Sequence, residues 1–494
     1  MTSPQLRFDG RILLLGCGSV SQCLQPLLLR HLDMDFTKLT VMDFEDLSGA
    51  IPDTLAAGAQ YARTKITPEN IHATLAAHLG AGDLLINLAW NIDTVEIIQW
   101  CQDNDVLYVD TSVELWDPYA DQQATTPQER TLYARHMKLR ERAKTWRPDG
   151  PTAVVEHGAN PGLVSHWTKV ALADITAAIL RGDAGEVEAG RREALEAALA
   201  QRDWAKLGQL TGTQLTGTKV IHISERDTQI SDKPKLVGEF VNTWSVEGFY
   251  EEGIAPAELG WGTHEPELPE HAYTHESGPQ NQICLAQTGI TTYVRSWVPI
   301  GGPIIGMVVR HGEAFTISDH LTVWEDGIAA YRPTVHYAYL PTDAAMNSLY
   351  ECRMTGYQLQ TEQRIMNDEI TDGMDELGVL LLGHDLNGWW VGSQLDIHES
   401  RTLVPHQNAT TLQVAASVLG AVFWIVKNPN QGLCVPDDLD HNEVLAVANP
   451  YLGKVPSVQT DWKPESAAYE PFAQYREGKA DAANPWAFRN FLVA

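Results

Sequence analysis

Cysteine is scarce in this chain. Its 494 residues hold six, Cys17, Cys23, Cys101, Cys284, Cys352 and Cys434, with no Cys-x-x-Cys pair among them. Such spacing excludes a disulfide-stapled scaffold and points to a reducing cytoplasm. Long hydrophobic runs are also missing. The most apolar segment, 412–426, is too short to span a bilayer and is interrupted by Gln413, Ser417 and Gly420, so it reads as a buried helix and no membrane partner is expected. The apolar run Ile12–Leu15 is too short for a secretory h-region and passes straight into a glycine turn, so no signal peptide is expected. Positive charge is in deficit, with 35 Lys and Arg against 64 Asp and Glu and a net charge of −29. That balance repels nucleic-acid phosphates and attracts small cations. There is no Gly-x-Ser-x-Gly elbow, which removes support for serine hydrolase chemistry, and no internal repeat.

The deficit is sharpest in one place. Between Lys235 and Arg295 lie 59 residues with nine glutamates and no lysine or arginine, interleaved with Trp244, Phe249, Tyr250 and Trp261. Carboxylates without nearby basic partners are solvated, paired with a bound cation or shifted in pKa. A charge run by itself is usually a solvated face. Tryptophans do little for solubility, and with them interleaved the tract reads as the wall of a pocket that takes a cation, where aromatic faces add cation–π attraction.

At this length roughly two to four domains fit. The first ~115 residues alternate apolar runs ("RILLLG", "KLTVMD", "DLLINLAW", "VLYVDTS") with helical periodicity, which predicts a doubly wound parallel sheet. A charged helical stretch ends at "RPDGP", so residues 1–150 form the first domain. Then come "TAVVEHGANPG", a strand and turn, and a helix started by proline. Residues 172–208 read as helices, and 218–340 as mixed strands including the strand pair "GGPIIGMVVRHGEAFTISDHLTVW". The segments "PTDAAMNSLYECRM" and "TDGMDELGVLLLG" read as helical. An inserted α+β domain over 151–395 is expected, followed over 396–494 by a helix near 408–427 returning to the first domain and a Pro-, Trp- and Tyr-rich tail that wraps over other elements.

"RILLLGCGSVSQ" sets Gly16 and Gly18 between an apolar strand and a helix, the context of a dinucleotide fingerprint. Gly16 permits the tight turn, Gly18 lets the backbone approach a pyrophosphate, and Ser19 and Val20 open the helix whose N-terminus faces the charge. The third glycine position is Ser21, a departure small enough to keep helix and strand close. Asp43, 25 residues after Gly18, ends the second strand, where a carboxylate accepts ribose hydroxyls; Phe44, Glu45 and Asp46 follow. With no adjacent cation for a 2′-phosphate, NAD is favoured over NADP, and residues 1–150 are expected to form a Rossmann NAD-binding domain. The alternative is a flavodoxin-like fold without dinucleotide. "GTQLTGTK" lacks a P-loop lysine at the required position, and His271 and His275 lack the glutamate of a zincin helix, so no metal site is read. "VVRHGE" places His311 and Glu313 two apart on an expected strand, either aimed into one pocket or on a solvent-facing side. Glu225 in "SERDTQ" is structural or functional on spacing alone.

Together "GCGSVSQ", "DTSVELW", "HGANPG", "SERDTQ", "FVNTWSVEGFYEEGIAPAELGWGTHE", "RHGE", "DGMDELGVLL" and "TDW…NPWAFRNF" resemble the bacterial homospermidine synthases, relatives of saccharopine and carboxynorspermidine dehydrogenases, over essentially the whole chain. The resemblance implies NAD-dependent joining of two putrescines with loss of ammonia, or of putrescine with spermidine with loss of diaminopropane, with no net redox change, in a homodimer. It implies cation–π stabilisation by Trp244 and pocket carboxylates at Glu225 and Glu252. It also implies a His-x-Glu pair at His311 and Glu313, Glu114 on the nicotinamide side, substrate positioning by Asn160, and Asp375 as a further member that neighbouring Asp372 and Glu376 could be confused with. Cofactor contacts are implied at Asn87, Ala89, Thr111, Asn160 and Pro161. Glu267, Glu270 and Glu276, at the proline-bounded end of the tract, are expected to be solvated. Two other readings stay open: a dehydrogenase of the same superfamily with net turnover of NAD(P)H, and a polyamine-binding regulator without catalysis.

Overall fold

The computed structural model describes residues 5–120, 124–213, 216–464, 471–472, 475 and 484–493. Of the segments read above, "GTQLTGTK" includes two positions, 214 and 215, that lie outside the described residues. The first sheet has seven parallel strands, in the spatial order Gln60–Arg63, Leu39–Asp43, Ile12–Leu15, Leu84–Asn87, Leu107–Asp110, Ala153–Val154 and Leu433–Cys434. The first strand in sequence has the second and fourth as its neighbours, which is the Rossmann order and excludes the flavodoxin one. Every residue of Ile12–Leu15, Leu84–Asn87 and Leu107–Asp110 is buried, as a parallel sheet covered on both faces requires. The order reverses between Ile12–Leu15 and Leu84–Asn87, and the glycine turn stands at the mouth of that crevice.

The second sheet has ten strands. Its path runs Ala272–Thr274, Gln282–Thr288, Pro256–Gly260, Thr334–Leu340, Val220–Asp227, Met374–His384, Asn387–Asp396 and Ser457–Thr460, with the hairpin Tyr293–Val298 and Gly302–Met307 attached at Met307 to Tyr339. Val220–Asp227 is central, parallel to Thr334–Leu340 and antiparallel to Met374–His384. Strand alternation gives its two faces different tasks. Ile221 and Ile223 join the core shared with the long helices, while Val220 joins a separate cluster capped by Trp486, Phe488 and Phe491 of the tail. Trp486, Phe488 and Phe491 thus sit on the back of the sheet whose front carries Glu225 and Asp227.

Two helices are long and apolar enough to cross a membrane, Leu163–Arg181 and Ala409–Lys427, and both are largely buried inside the protein. Ala409–Lys427 packs on Ser19–His31 and on Leu107–Asp110, a strand of the dinucleotide sheet. Asn408 caps it by accepting the Thr411 N–H at 2.8 Å, and its amide donates to the carbonyls of Thr243 and Met366.

Three expectations are corrected. "TDGMDELGVLLLG" is a strand, Met374–His384, because it lies at the sheet centre with both faces covered, and a continuous apolar run there carries no period that separates strand from helix. The strand pair expected over 301–324 is instead a strand to Met307, a turn, and the helix Glu313–His320. Arg310 is drawn inward by Glu251, which turns the chain out of the sheet. The helix after "HGANPG" starts at Leu163, behind Gly162 with φ of 132°, rather than at Pro161.

Candidate active site

At the crevice, Gly16 holds φ of 86°, and a Cβ there would lie 2.7 Å from the Leu88 carbonyl oxygen, so only glycine fits. Gly18 differs: nothing lies within 4 Å of its Cβ position, and no side chain caps the helix Ser19–His31 that follows it. The open backbone and the first-turn N–H groups of Ser19 and Val20 make a cradle that fits a pyrophosphate. Ser21 is buried beneath it and accepts from Gln25 at 3.2 Å. Asp43 accepts the N–H of Cys17 at 2.7 Å and of Glu45 at 3.0 Å, which fixes its carboxylate beside the turn. A fixed anion suits a ribose diol and repels a 2′-phosphate. One cation does stand near, since Arg63 pairs with Asp43 across the strands, but its Nε is committed to the Phe44 carbonyl at 3.3 Å. Asn87 ends its strand, donating to Tyr108 at 3.2 Å and accepting from Ala89 N–H at 3.2 Å, and Thr111 follows the next strand beside Gly158.

Where the crevice meets the second sheet, Asn160 Nδ2 donates to Glu225 Oε2 at 3.1 Å, and the Tyr337 hydroxyl donates to the same oxygen. Glu225 and Asp227 share one face of their strand, and Asp375 stands opposite Asp227 on the next. Burial, and then the like charge of Asp227, pushes the Glu225 carboxyl up to about 8. Asp375 is raised well above the carboxylate range by burial and by Glu225 and Asp227. Asp227 reaches about 6 through burial, held down by bonds from Gln229, Thr243 and Thr410. Thr410, in the first turn of Ala409–Lys427, donates to Asp375 Oδ2 at 2.7 Å, while Asp375 Oδ1 is buried with no partner among the described residues. Glu225 and Asp375, both raised well above the carboxylate range when empty, can take up a cation in exchange for protons.

Tyr337 stacks on Tyr339, ring centroids 5.0 Å apart, and Tyr339 accepts from the half-buried Trp244 indole at 3.2 Å. Phe249 backs the indole at 5.3 Å. On the other side, the His311 ring packs on Tyr337 at 4.4 Å and is bonded to Glu252 at Nε2 and to Glu313 at Nδ1, each at 3.1 Å. Burial alone would lower the His311 pKa, but Glu313 and Glu252 outweigh it and raise it well above 6.5. Glu313 is itself raised by burial, so the pair retains a proton. The neighbouring rung is fully ionic. Glu251 accepts from Arg310 at 2.7 Å and from Arg135, and despite its burial the two guanidiniums hold its pKa down. Glu114, reached through the same arginines, is raised to about 7 by burial and then by Glu251, and its Oε2 finds no partner among the described residues.

Residues 12–154 match the saccharopine dehydrogenase NADP binding domain family, and residues 158–459 the saccharopine dehydrogenase C-terminal domain family. Over 99% of its length the chain is 42% identical to the homospermidine synthase of Blastochloris viridis, covering 98% of that protein. The chain belongs to the homospermidine synthase family. The homospermidine synthase of Mesorhizobium japonicum is 39% identical over 98% of this chain and 96% of its own. A crystal structure of the homospermidine synthase from Legionella pneumophila in complex with NAD matches with a TM-score of 0.85 and 34% identity over 99% of both chains. Apo saccharopine dehydrogenase from Saccharomyces cerevisiae, at 14% identity, a TM-score of 0.50 and coverage of 91% of this chain and 100% of its own, shares the fold.

In this chain the expected residues Trp244, Glu225, Glu252, His311, Glu313, Asn160 and Asp375 form one connected cluster, with Glu114 at its edge. His311 and Glu313 reach it from a turn and a helix start, not from the expected strand; the turn makes them converge. Asp375 is separated from its neighbours by alternation: Glu376 faces away and accepts from Ile300 and Gly301 N–H, and Asp372 is exposed. Glu267, Glu270 and Glu276 are exposed as expected. Sequence reading missed Asp227, Tyr337, Tyr339 and the arginines on Glu251. The alternation in "SERDTQ" and "HYAYL" carried the first three; nothing local signalled that Arg135 and Arg310 would meet in the acidic tract.

Proposed function

We propose that this chain condenses two putrescines into homospermidine with release of ammonia, using NAD that is regenerated within each turnover. The Asn160–Glu225 hydrogen bond carries the reading, because it ties the dinucleotide crevice to an acidic, aromatic cluster whose charge suits a diamine. NAD, when bound, supplies a two-electron acceptor that becomes the donor for the second half of the same turnover. Glu225 and Asp375 hold one ammonium end, giving up protons as they do so. The Trp244 face stabilises positive charge at the reacting nitrogen without an ion pair that would hinder release. The Glu252–His311–Glu313 chain takes the proton that frees an attacking amine and returns one to the departing ammonia. Asn160 orients the substrate against the crevice, and Glu114 serves the nicotinamide side. Contacts to NAD run through Gly16, Gly18, Ser19, Val20, Asp43, Asn87, Ala89, Thr111, Asn160 and Pro161. A first domain over 1–150, a substrate domain over 151–395 and a returning region over 396–494, assembled as a homodimer in the cytoplasm, complete the reading. Six unpaired cysteines support the compartment.

The test is putrescine with substoichiometric NAD. Homospermidine accumulating in excess of NAD, with no net NADH, is the expected result. NADH formed in proportion to putrescine consumed would make the chain a dehydrogenase, and tight binding without turnover would make it a regulator.

A further inference from the structure

Gly312, between His311 and Glu313, has no backbone reason to be glycine. Its φ of −67° and ψ of −30° are open to any residue. The space for a side chain is nevertheless taken. A Cβ there would lie 1.8 Å from Glu156 Oε2, 2.5 Å from Glu156 Cδ and 2.6 Å from Glu156 Oε1, and these are its three nearest atoms. The glycine thus makes room for one carboxylate. Glu156 is buried at 1% exposure, with φ of 58°, a left-handed value uncommon for glutamate. Its Oε2 is bonded to His136 Nε2 at 2.8 Å, and its N–H donates to Asp110 Oδ1 at 2.7 Å. The His136 ring, also 1% exposed, is braced edge-on by Phe315 of the helix Glu313–His320, with centroids 5.3 Å apart. Three parts of the molecule meet here: the end of the dinucleotide sheet, the helix Leu132–Ala143, and the turn that carries His311.

We propose that Glu156, clamped by His136, is a positioning residue for this reaction: its carboxylate is the stop against which the Gly312 backbone rests, and it sets where His311 and Glu313 stand relative to Glu252. The inference rests on the proposed function above. Its charge acts as well as its shape. Glu313 faces His311 and Glu156, and Glu156 faces His136, Asp110 and Glu313, so removing the negative charge at 156 makes Glu313 easier to ionise.

Kinetics of Glu156→Gln, Glu156→Ala, Gly312→Ala and the double variant Gly312→Ala/Glu156→Ala test this, with NAD binding and thermal unfolding followed in parallel. Glu156→Gln is expected to leave the putrescine KM within about twofold, lower kcat by about 10- to 100-fold, and move the acid limb of the kcat profile to lower pH. The double variant should be no slower than the slower single variant, because removing the carboxylate removes the three atoms nearest to the alanine Cβ. Independent, multiplying losses, or a Glu156→Gln profile whose acid limb does not move, overturn the inference. Should Gly312→Ala fail to fold, the Glu156→Gln profile decides alone. The unaltered chain is the control: product from it with multiplying losses sinks only this inference, and no product from it sinks the proposed function and this inference with it.

Discussion

The indole of Trp244 is held on three sides, by Tyr339 at its nitrogen, by Phe249 behind and by the start of the helix Val246–Ile254. A ring so fixed loses little entropy on meeting a cation, and the attraction is worth about 0.5–2 kcal/mol. Trp244→Ala should therefore lower kcat/KM for putrescine by roughly 2- to 30-fold from that term, with Trp244→Phe between it and the parent. Equal rates in all three would remove the indole from the mechanism. Glu225 gives a pH-dependent expectation. Empty, it holds its proton up to about 8, and a bound ammonium favours the ionised form. Substrate affinity should rise as pH increases from 6.5 to 8.5, because progressively less work is spent displacing that proton. Glu225→Gln has no proton to displace, so that rise should vanish and kcat/KM fall about 100-fold. A retained rise would assign the titration to another group.

The glycine turn shows how one motif serves two purposes. Gly16 is a folding residue: with φ of 86° and a Cβ position against Leu88, Gly16→Ala strains the free protein by on the order of 1–3 kcal/mol. Gly18→Ala meets nothing within 4 Å. Thermal unfolding of the two variants without NAD should separate them, Gly16→Ala melting lower and Gly18→Ala close to the parent, while fluorescence titration shows weakened NAD binding in both. A Gly18→Ala variant with full NAD affinity would move the pyrophosphate elsewhere. The strand Met374–His384 teaches a different lesson. Its apolar run carries no period that separates helix from strand, yet Gly378 lies so close to Val391 and the Trp390 ring that a Cβ would stand 2.4 Å from the Val391 oxygen. Only the neighbouring strand reveals why glycine is there, and the same pairing aims Asp375 into the chamber and Glu376 out of it.

Across the whole molecule the acidic tract is less isolated than its composition suggests. Its missing cations arrive from elsewhere: Arg364 to Glu239, Arg135 and Arg310 to Glu251, His311 to Glu252 and Arg489 to Glu267. Several buried carboxyls make no ion pair with a lysine or arginine among the described residues and are raised by burial, Glu225 to about 8, Glu114, Glu258 and Glu265 to about 7 and Asp227 to about 6. A carboxyl raised on folding contributes stability in full below its unfolded value of about 4.5 and loses it as pH climbs through the folded value. Unfolding temperature should consequently fall between about pH 5 and 8, and putrescine should restore more of it at pH 8 than at pH 6. A melting temperature flat over that interval, or a diamine effect independent of pH, would contradict these burials. Both trends are read in one set of calorimetric scans.

Periodicity and turn chemistry, which act between near neighbours, were enough to place the doubly wound sheet, the Gly16–Gly18 turn, Asp43 at a strand end and the buried helix around 412–426. The glutamate-rich tract, with its tryptophans, likewise pointed to an acidic, aromatic wall, and the resemblance carried most of the residues that cluster there. Contacts between distant segments were out of reach of that reasoning. That Met374–His384 is a strand, that His311 and Glu313 meet across a turn, and that Gly312 makes way for Glu156 all depend on pairings over tens to hundreds of residues. Local sequence carries propensity and pattern, whereas the charge and position of each carboxyl are set by whichever group packing brings against it.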